Sequence, residues 1–218
     1  LGVQGAGKSL TARAVAGAWG LPLLSLDMGA LYNKYIGETE RNLRESLRSA
    51  ELMAPCVLWL DEIEKGVGGT DTDEGVSRRL LGSLLTWMAE QRDGVFVVAT
   101  ANDVSALPPE LLRKGRFDEL FFVDLPDEAT RAEIFRIHLR RRDTDPEGID
   151  VGTLAGISEG FSGAEIEQVV VSARYRAAAE QASLASAHLL TEIRATVPLA
   201  VTMAERIEAL RAWADGRT

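Results

Sequence analysis

The stretch Gly2-Val3-Gln4-Gly5-Ala6-Gly7-Lys8-Ser9 fits the pattern G-x-x-x-x-G-K-[ST]. Glycines let successive backbone amides curl around a phosphate. The lysine neutralises the outer phosphate oxygens, and the serine hydroxyl, at a helix N-terminus, suits Mg²⁺. Such a match arises by chance in fewer than about one in a hundred chains of this length. Directly after it, Leu10, Ala14, Val15 and Ala18 recur at helical spacing until Trp19-Gly20-Leu21-Pro22 stops the helix. A loop of this kind is launched by a strand, and only Leu1 precedes it. The sequence is therefore expected to start inside a longer protein, just past the first strand of its sheet.

Outward from the loop, strand and helix signals alternate. Leu23 to Leu26 is a short apolar strand, and Leu43, Leu47, Ala50 and Met53 mark an amphipathic helix that ends before Pro55. Val57 to Leu60 is a continuous apolar run closing on Asp61 and Glu62, which suits a parallel strand buried on both faces. Residues 66–75, rich in Gly, Asp and Thr, read as a loop. Leu80, Leu81, Leu84, Leu85 and Met88 form the next helical face, and Val95 to Thr100 another buried strand. A short helix over Pro109 to Arg113 and a strand over Leu120 to Val123 complete the series, which predicts a parallel sheet between helices.

From Asp127 the strand signals disappear. One helix is expected over Glu128 to Arg141. A second opens on the capping box Ser162-Gly163-Ala164-Glu165 and carries Ile166, Val169, Val170, Ala173 and Ala177 on one face. A third opens on Thr202-Met203-Ala204-Glu205 and carries Ile207 and Leu210. The expected organisation is an α/β domain over residues 1–126 and a helical domain over 127–218.

The 218 residues are 46% hydrophobic and 26% charged, enough to bury a core, which excludes a disordered or collagenous chain. The single Cys56 lies in an apolar run and reads as a small buried hydrophobe in a reducing compartment such as the cytoplasm. The 33 acidic residues outnumber the 24 basic ones, giving a net charge of −9 spread evenly over both halves. That balance weighs against nucleic acid as a partner. The basic run Arg140 to Arg142 reads as a helix C-terminus with cations at the negative end of its dipole. No apolar run approaches the 18 residues of a membrane segment.

Chemistry gathers at the carboxyl ends of the predicted strands. Asp61 is placed to hold Mg²⁺ through water, and Glu62 to polarise an attacking water. Asn102, after the Val95 to Thr100 strand, faces the same edge. In Leu111-Leu112-Arg113-Lys114-Gly115-Arg116-Phe117-Asp118 two arginines stand three apart; planar guanidinium groups suit a phosphate, but spacing alone favours a surface pair bound to nearby acids.

Together these segments resemble the AAA family of ring-forming ATPases over nearly the whole chain. The resemblance implies ATP and Mg²⁺ as cofactors and a three-layer αβα core of the P-loop kind, its first strand missing here, with a small helical lid. Gly2, Gln4, Gly5, Ala6, Gly7, Lys8, Ser9 and Leu10 would contact nucleotide, and Ser9 and Asp61 the metal. Glu62 and Asn102 would be catalytic. Arg113 and Arg116 become fingers reaching into a neighbouring subunit, which implies a homo-oligomeric ring, usually a hexamer. His138 matches the family's lid histidine near adenine and ribose; without the resemblance it reads as a polar face residue. Gly163-Ala164 stands where other branches carry a second sensor arginine.

Tyr32-Asn33-Lys34-Tyr35-Ile36-Gly37-Glu38 resembles the family's pore loop, so Tyr35 and Ile36 would grip an extended protein client. Core packing is the alternative for both. Two further stretches, Met53-Ala54-Pro55-Cys56-Val57-Leu58-Trp59 and Thr196-Val197-Pro198-Leu199-Ala200-Val201-Thr202-Met203-Ala204-Glu205, look most like the poorly characterised AAA proteins of cyanobacteria, algal plastids and their bacterial relatives. Rival functions are a nucleic-acid-acting ring and a slow ATP-dependent switch or scaffold.

Overall fold

The structure is a computed structural model, which describes residues 1–31, 36–68, 74–90, 93–113 and 115–216. The chain divides into two compact units, one holding Leu1–Gly2 and Lys8–Phe122, the other Val3–Gly7 and Val123–Asp215.

In the first unit three parallel strands, β1 (Leu23–Asp27), β2 (Cys56–Asp61) and β3 (Val95–Ala99), lie in the order β1-β2-β3. The register pairs Leu26 with Leu60 and Leu60 with Ala99, so the strand ends align at one edge. Central β2 is buried along its apolar length. Its alternate residues Cys56, Leu58 and Leu60 enter a core with Leu43 and Leu47 of α2 (Ile36–Leu52) and Leu80, Leu84 and Trp87 of α4 (Glu74–Ala89). The residues between them serve the other face, where Arg13 of α1 (Lys8–Trp19) lies over the Trp59 ring, 5.6 Å from its centroid. Ala12 and Ala16, buried one turn apart, keep the inner side of α1 narrow. This two-faced burial is why β2 reads as an unbroken apolar run. The short helix α3 (Ile63–Val67) turns the chain back immediately beyond it.

Two expectations change here. Residues 109–113 form turns rather than a helix: Leu111 N–H donates to Pro108 O and Leu112 N–H to Pro109 O. Both bonds span three residues and close tight turns, so the short apolar spacing is met by turns and not by an α-helical ladder. The expected strand over Leu120 to Val123 shrinks to a single bridge at Val123, whose carbonyl accepts from Val3 N–H at 3.0 Å. Its only backbone neighbours among the described residues are Leu1 to Val3, too short a stretch for a ladder, and Phe121 stays exposed.

The second unit is helical: α5 (Glu128–Arg140), a 3₁₀ turn (Pro146–Gly148), α6 (Val151–Ile157), α7 (Gly163–Ala179), α8 (Ser186–Ala195), α9 (Leu199–Thr202) and α10 (Ala204–Ala214). Phe135, Leu139, Leu154, Phe161, Ile166, Val170 and Leu189 form its core. Asp127 caps α5 by accepting from Thr130 N–H at 2.8 Å. The capping box before α7 is present, with Glu165 Oε2 accepting from Ser162 N–H at 2.7 Å and Ser162 Oγ from Glu165 N–H at 3.3 Å. The second expected box is absent. Thr202 ends α9 and its hydroxyl turns back to Leu199 O, leaving Met203 as the N-cap of α10 without a side-chain cap. Pro198, which precedes α9, starts a helical turn early enough to consume Thr202.

Ser162→Ala removes the buried half of the α7 box and should cost about 1–2 kcal/mol, read as a lower urea midpoint with an unchanged slope.

Candidate functional site

The glycine loop is a tight turn: Ala6 N–H donates to Val3 O at 3.3 Å, and Gly5 and Gly7 take φ of 75° and 106°. Both values favour glycine. At Gly5 space also demands it, because a Cβ would lie 3.0 Å from Ser162 Oγ and 3.1 Å from Ala164 Cβ. Ala164 N–H donates to Gly5 O at 3.2 Å, so the N-terminus of α7 lies against the loop. Gly163 and Ala164, expected at the nucleotide, thus reach Gly5 directly. Around Gly7 the Cβ side is open. Gln4 and Leu10 are exposed.

α1 begins at Lys8, whose ammonium donates to Gly2 O at 2.9 Å. Burial lowers the Lys8 pKa to about 8, although Glu64, Asp61 and Glu62, in that order, pull it upward. A lysine so placed is a cation short of solvation and surrounded by acids. Ser9, next on α1, is half-buried.

At the carboxyl edge of the sheet, Asp61 and Glu62 are tied to the end of β3. Thr100 Oγ1 donates to Asp61 Oδ1 at 2.5 Å and accepts from Glu62 N–H at 3.2 Å. Asn102 Nδ2 donates to Glu62 Oε1 at 2.9 Å, while Lys65 Nζ pairs with Glu62 Oε2. Glu62 has φ 50° and ψ 53°, a left-handed conformation that is uncommon and costly for a residue with a side chain. Asp61, Glu62 and Asn102 are therefore brought together as the sequence predicts.

Thr100 and Glu64 escaped the sequence reading. Thr100 is a buried hydroxyl at a strand end, two positions before Asn102. Glu64 is 7% exposed; its Oε1 accepts from Asn102 N–H at 2.9 Å, and its buried Oε2 has no partner among the described residues. The signal for it was a third acid three residues beyond Asp61, on the turn of helix that must follow the strand.

Arg113, exposed, and Arg116, half-buried, stand apart from this cluster's hydrogen bonds on the turns after Leu111. In the second unit, burial holds the His138 imidazole below its ordinary pKa against the pull of Glu167, and Arg142 and Arg141 lower it further. Its Nδ1 lies 3.2 Å from Arg142 Nη1, and Arg142 Nη2 donates to Glu167 Oε1 at 2.7 Å. Tyr35 lies outside the described residues, and Ile36 is described only as the first residue of α2. No helix among the described residues is long and apolar enough to cross a membrane.

A parallel sheet between helices, a glycine loop opening a helix, and a paired Asp-Glu at the neighbouring strand's end define a P-loop αβα core, here with a helical lid. Residues 1–125 match the family model "ATPase family associated with various cellular activities (AAA)", and residues 148–190 match that of the AAA+ lid domain. The chain belongs to the AAA family, whose members are ATPases. It is 46% identical over its full length to the "Uncharacterized AAA domain-containing protein ycf46" of Pyropia yezoensis, covering 45% of that protein. To the protein of the same name in Guillardia theta it is 45% identical over 99% of the chain, covering 43% of the relative. It is 38% identical over 81% of its length to the "Proteasome-activating nucleotidase" of Aeropyrum pernix, covering 44% of that protein. The chain thus spans less than half the length of these relatives.

Within the first unit the residues fit a phosphate with its divalent cation: a buried lysine and carboxylates gathered at one strand end.

Because burial depresses the Lys8 pKa to about 8, the folded chain holds the lysine proton less tightly than the unfolded chain does, and the cost of the buried ammonium is fully felt below that pH. The unfolded lysine keeps its proton to a higher pH, so stability rises as pH climbs from about 8 towards the unfolded value. Lys8→Met should therefore be more stable than the parent at pH 7, by a margin that shrinks by pH 9.5 in urea titrations. In the parent, nucleotide affinity should weaken above pH 8 as the ammonium is lost, and Lys8→Met should bind poorly at either pH.

Proposed function

We propose that the chain is a Mg²⁺-dependent ATP hydrolase that works in a homo-oligomeric ring, a hexamer, and couples hydrolysis to remodelling or threading of a protein client. Its nucleotide-binding core is residues 1–126 and its lid residues 127–218. The observation that carries the reading is the clasp between the Asn102 amide and Glu62, set beside Asp61 at the edge of the sheet.

In this reading the amides of Gly5, Ala6 and Gly7 with Lys8 hold phosphate oxygens, and Ser9 and Asp61 hold the metal, Asp61 through water. Gly2, Gln4 and Leu10 line the loop's contact with nucleotide, His138 serves its base and sugar, and Gly163 and Ala164 occupy the second-sensor position of the nucleotide site. A divalent cation held there would supply neutralisation of phosphate charge and polarisation of the bond to be broken. Glu62 takes the proton from the attacking water. Asn102 donates to Glu62 Oε1 at 2.9 Å and so fixes the direction in which that carboxylate presents its lone pairs. Lys65, paired with Oε2, competes for the carboxylate and would have to swing away for Glu62 to act as a base. Arg113 and Arg116 serve the neighbouring protomer's site.

A protein client is supported by the Tyr35-Ile36 pore-loop resemblance, the even acidity of the chain and the likeness to a proteasome-activating nucleotidase. A reducing compartment, the cytoplasm or a plastid stroma, suits the one buried, unpaired cysteine.

Glu62→Gln should lower the hydrolysis rate by about 100-fold or more while nucleotide binding persists. In the presence of ATP this variant should have the native mass of a hexamer. Unchanged turnover would sink the hydrolase assignment, and a monomer at micromolar concentration would sink the ring. Tyr35→Ala should keep its ATPase rate yet lose client remodelling. DNA-stimulated turnover would point instead to a nucleic-acid-acting ring.

A further inference from the structure

The clasp on Glu62 requires the Asn102 backbone to stay in place, yet β3 stops at Ala99 and its ladder does not extend that far. Thr100 N–H still reaches Leu60 O, at 2.9 Å, and Ala101 O accepts from Gly2 N–H at 3.3 Å. Asn102 N–H instead points into α3 and ends on the carboxylate of Glu64 at 2.9 Å. Glu62 is the N-cap of α3 and Glu64 lies in its first turn, so the start of one short helix carries both the clasped carboxylate and the acceptor that holds its clasp.

Glu64 is expensive to keep where it is. The side chain is buried, and one of its two oxygens has no partner among the described residues. Buried polar atoms are ordinarily satisfied, and an apolar residue of similar size would avoid the cost of desolvating a carboxylate. The return is a charge-assisted acceptor, stronger than a neutral one, for a backbone amide.

Resting on the hydrolase reading above, we propose that Glu64 is a positioning residue: its buried carboxylate holds the Asn102 peptide, and through it the side-chain amide that orients Glu62. Glu64 also attracts Lys8. Action through Lys8 would alter nucleotide binding, whereas action through Asn102 alters turnover.

The test is steady-state ATP hydrolysis and ADP binding by the full chain. Glu64→Leu should lower kcat by about tenfold or more with ADP affinity held within about threefold. Glu64→Gln, which keeps an acceptor oxygen, should restore kcat to within about threefold of the parent. The double variant Glu64→Leu with Asn102→Ala should turn over no slower than Asn102→Ala alone, because both act on one clasp. Parental kcat in Glu64→Leu, a change confined to KM, equal losses in the Leu and Gln variants, or multiplicative losses in the double variant would each overturn the proposal. If Glu64→Leu fails to fold, Glu64→Asp draws the carboxylate back by one methylene. Its kcat should then fall about fivefold, again without adding to Asn102→Ala, and parental kcat would overturn the proposal. Glu62→Gln and Asn102→Ala separate the two levels. If both hydrolyse at the parental rate, the hydrolase reading itself has failed; if both are slow while the Glu64 variants are not, only the role of Glu64 has.

Discussion

The passage from hydrocarbon to charge at the end of β2 constrains the first unit. Leu60 is fully buried, and the next two residues are carboxylates. Asp61 and Glu62 keep only part of their contact with water there, and donors beyond the neighbouring strand supply the rest. The end of β3 supplies them: the Thr100 hydroxyl for Asp61, the Asn102 amide for Glu62, and the Asn102 peptide for Glu64. Each depends on the parallel register that brings Leu60 opposite Ala99. A slip of one residue would point those side chains to the opposite face and leave the acids without donors.

That arrangement leaves a charge imbalance. Burial outweighs the attraction of three acids at Lys8, which is why its proton is held less tightly than in water. A polyanion beside the ammonium would favour its charged form, and a divalent cation would offset the crowded carboxylates. The net charge of −9 bears on long-range encounter with a partner, not on this local balance.

Strand runs, the glycine loop and the Asp61–Glu62–Asn102 grouping were legible because each follows from a local pattern plus the rule that parallel strands end at a common edge. What was not legible depends on contacts distant in sequence. Nothing near Glu64 announces that it is buried, since that follows from how α3 turns under residues 100–102. Gly5 reads as a phosphate-loop glycine, but the close approach of Ser162 and Ala164, more than 150 residues on, restricts it as well. The misread elements were competitions between local signals. Bonds spanning three residues closed turns at 109–113 where helical spacing predicted a helix, and the turn after Pro198 used Thr202 before it could cap α10.

Glu62 shows how far chemistry rather than stability sets this site. At φ 50° and ψ 53° a glycine would be unstrained, whereas a residue with a Cβ costs about 1–2 kcal/mol. The side chain does little to repay this by packing, since it is partly exposed and its ion pair with Lys65 faces solvent. What the conformation provides is direction. It turns the chain sharply between β2 and α3, so that Glu62 reaches Asn102 while Glu64, two residues on, lies beneath the Asn102 peptide. An extended residue at position 62 would carry the chain past the end of β3 and separate the two contacts. The strain is therefore best understood as the cost of placing two acids on opposite sides of one asparagine, an arrangement with a purpose only if the orientation of Glu62 matters.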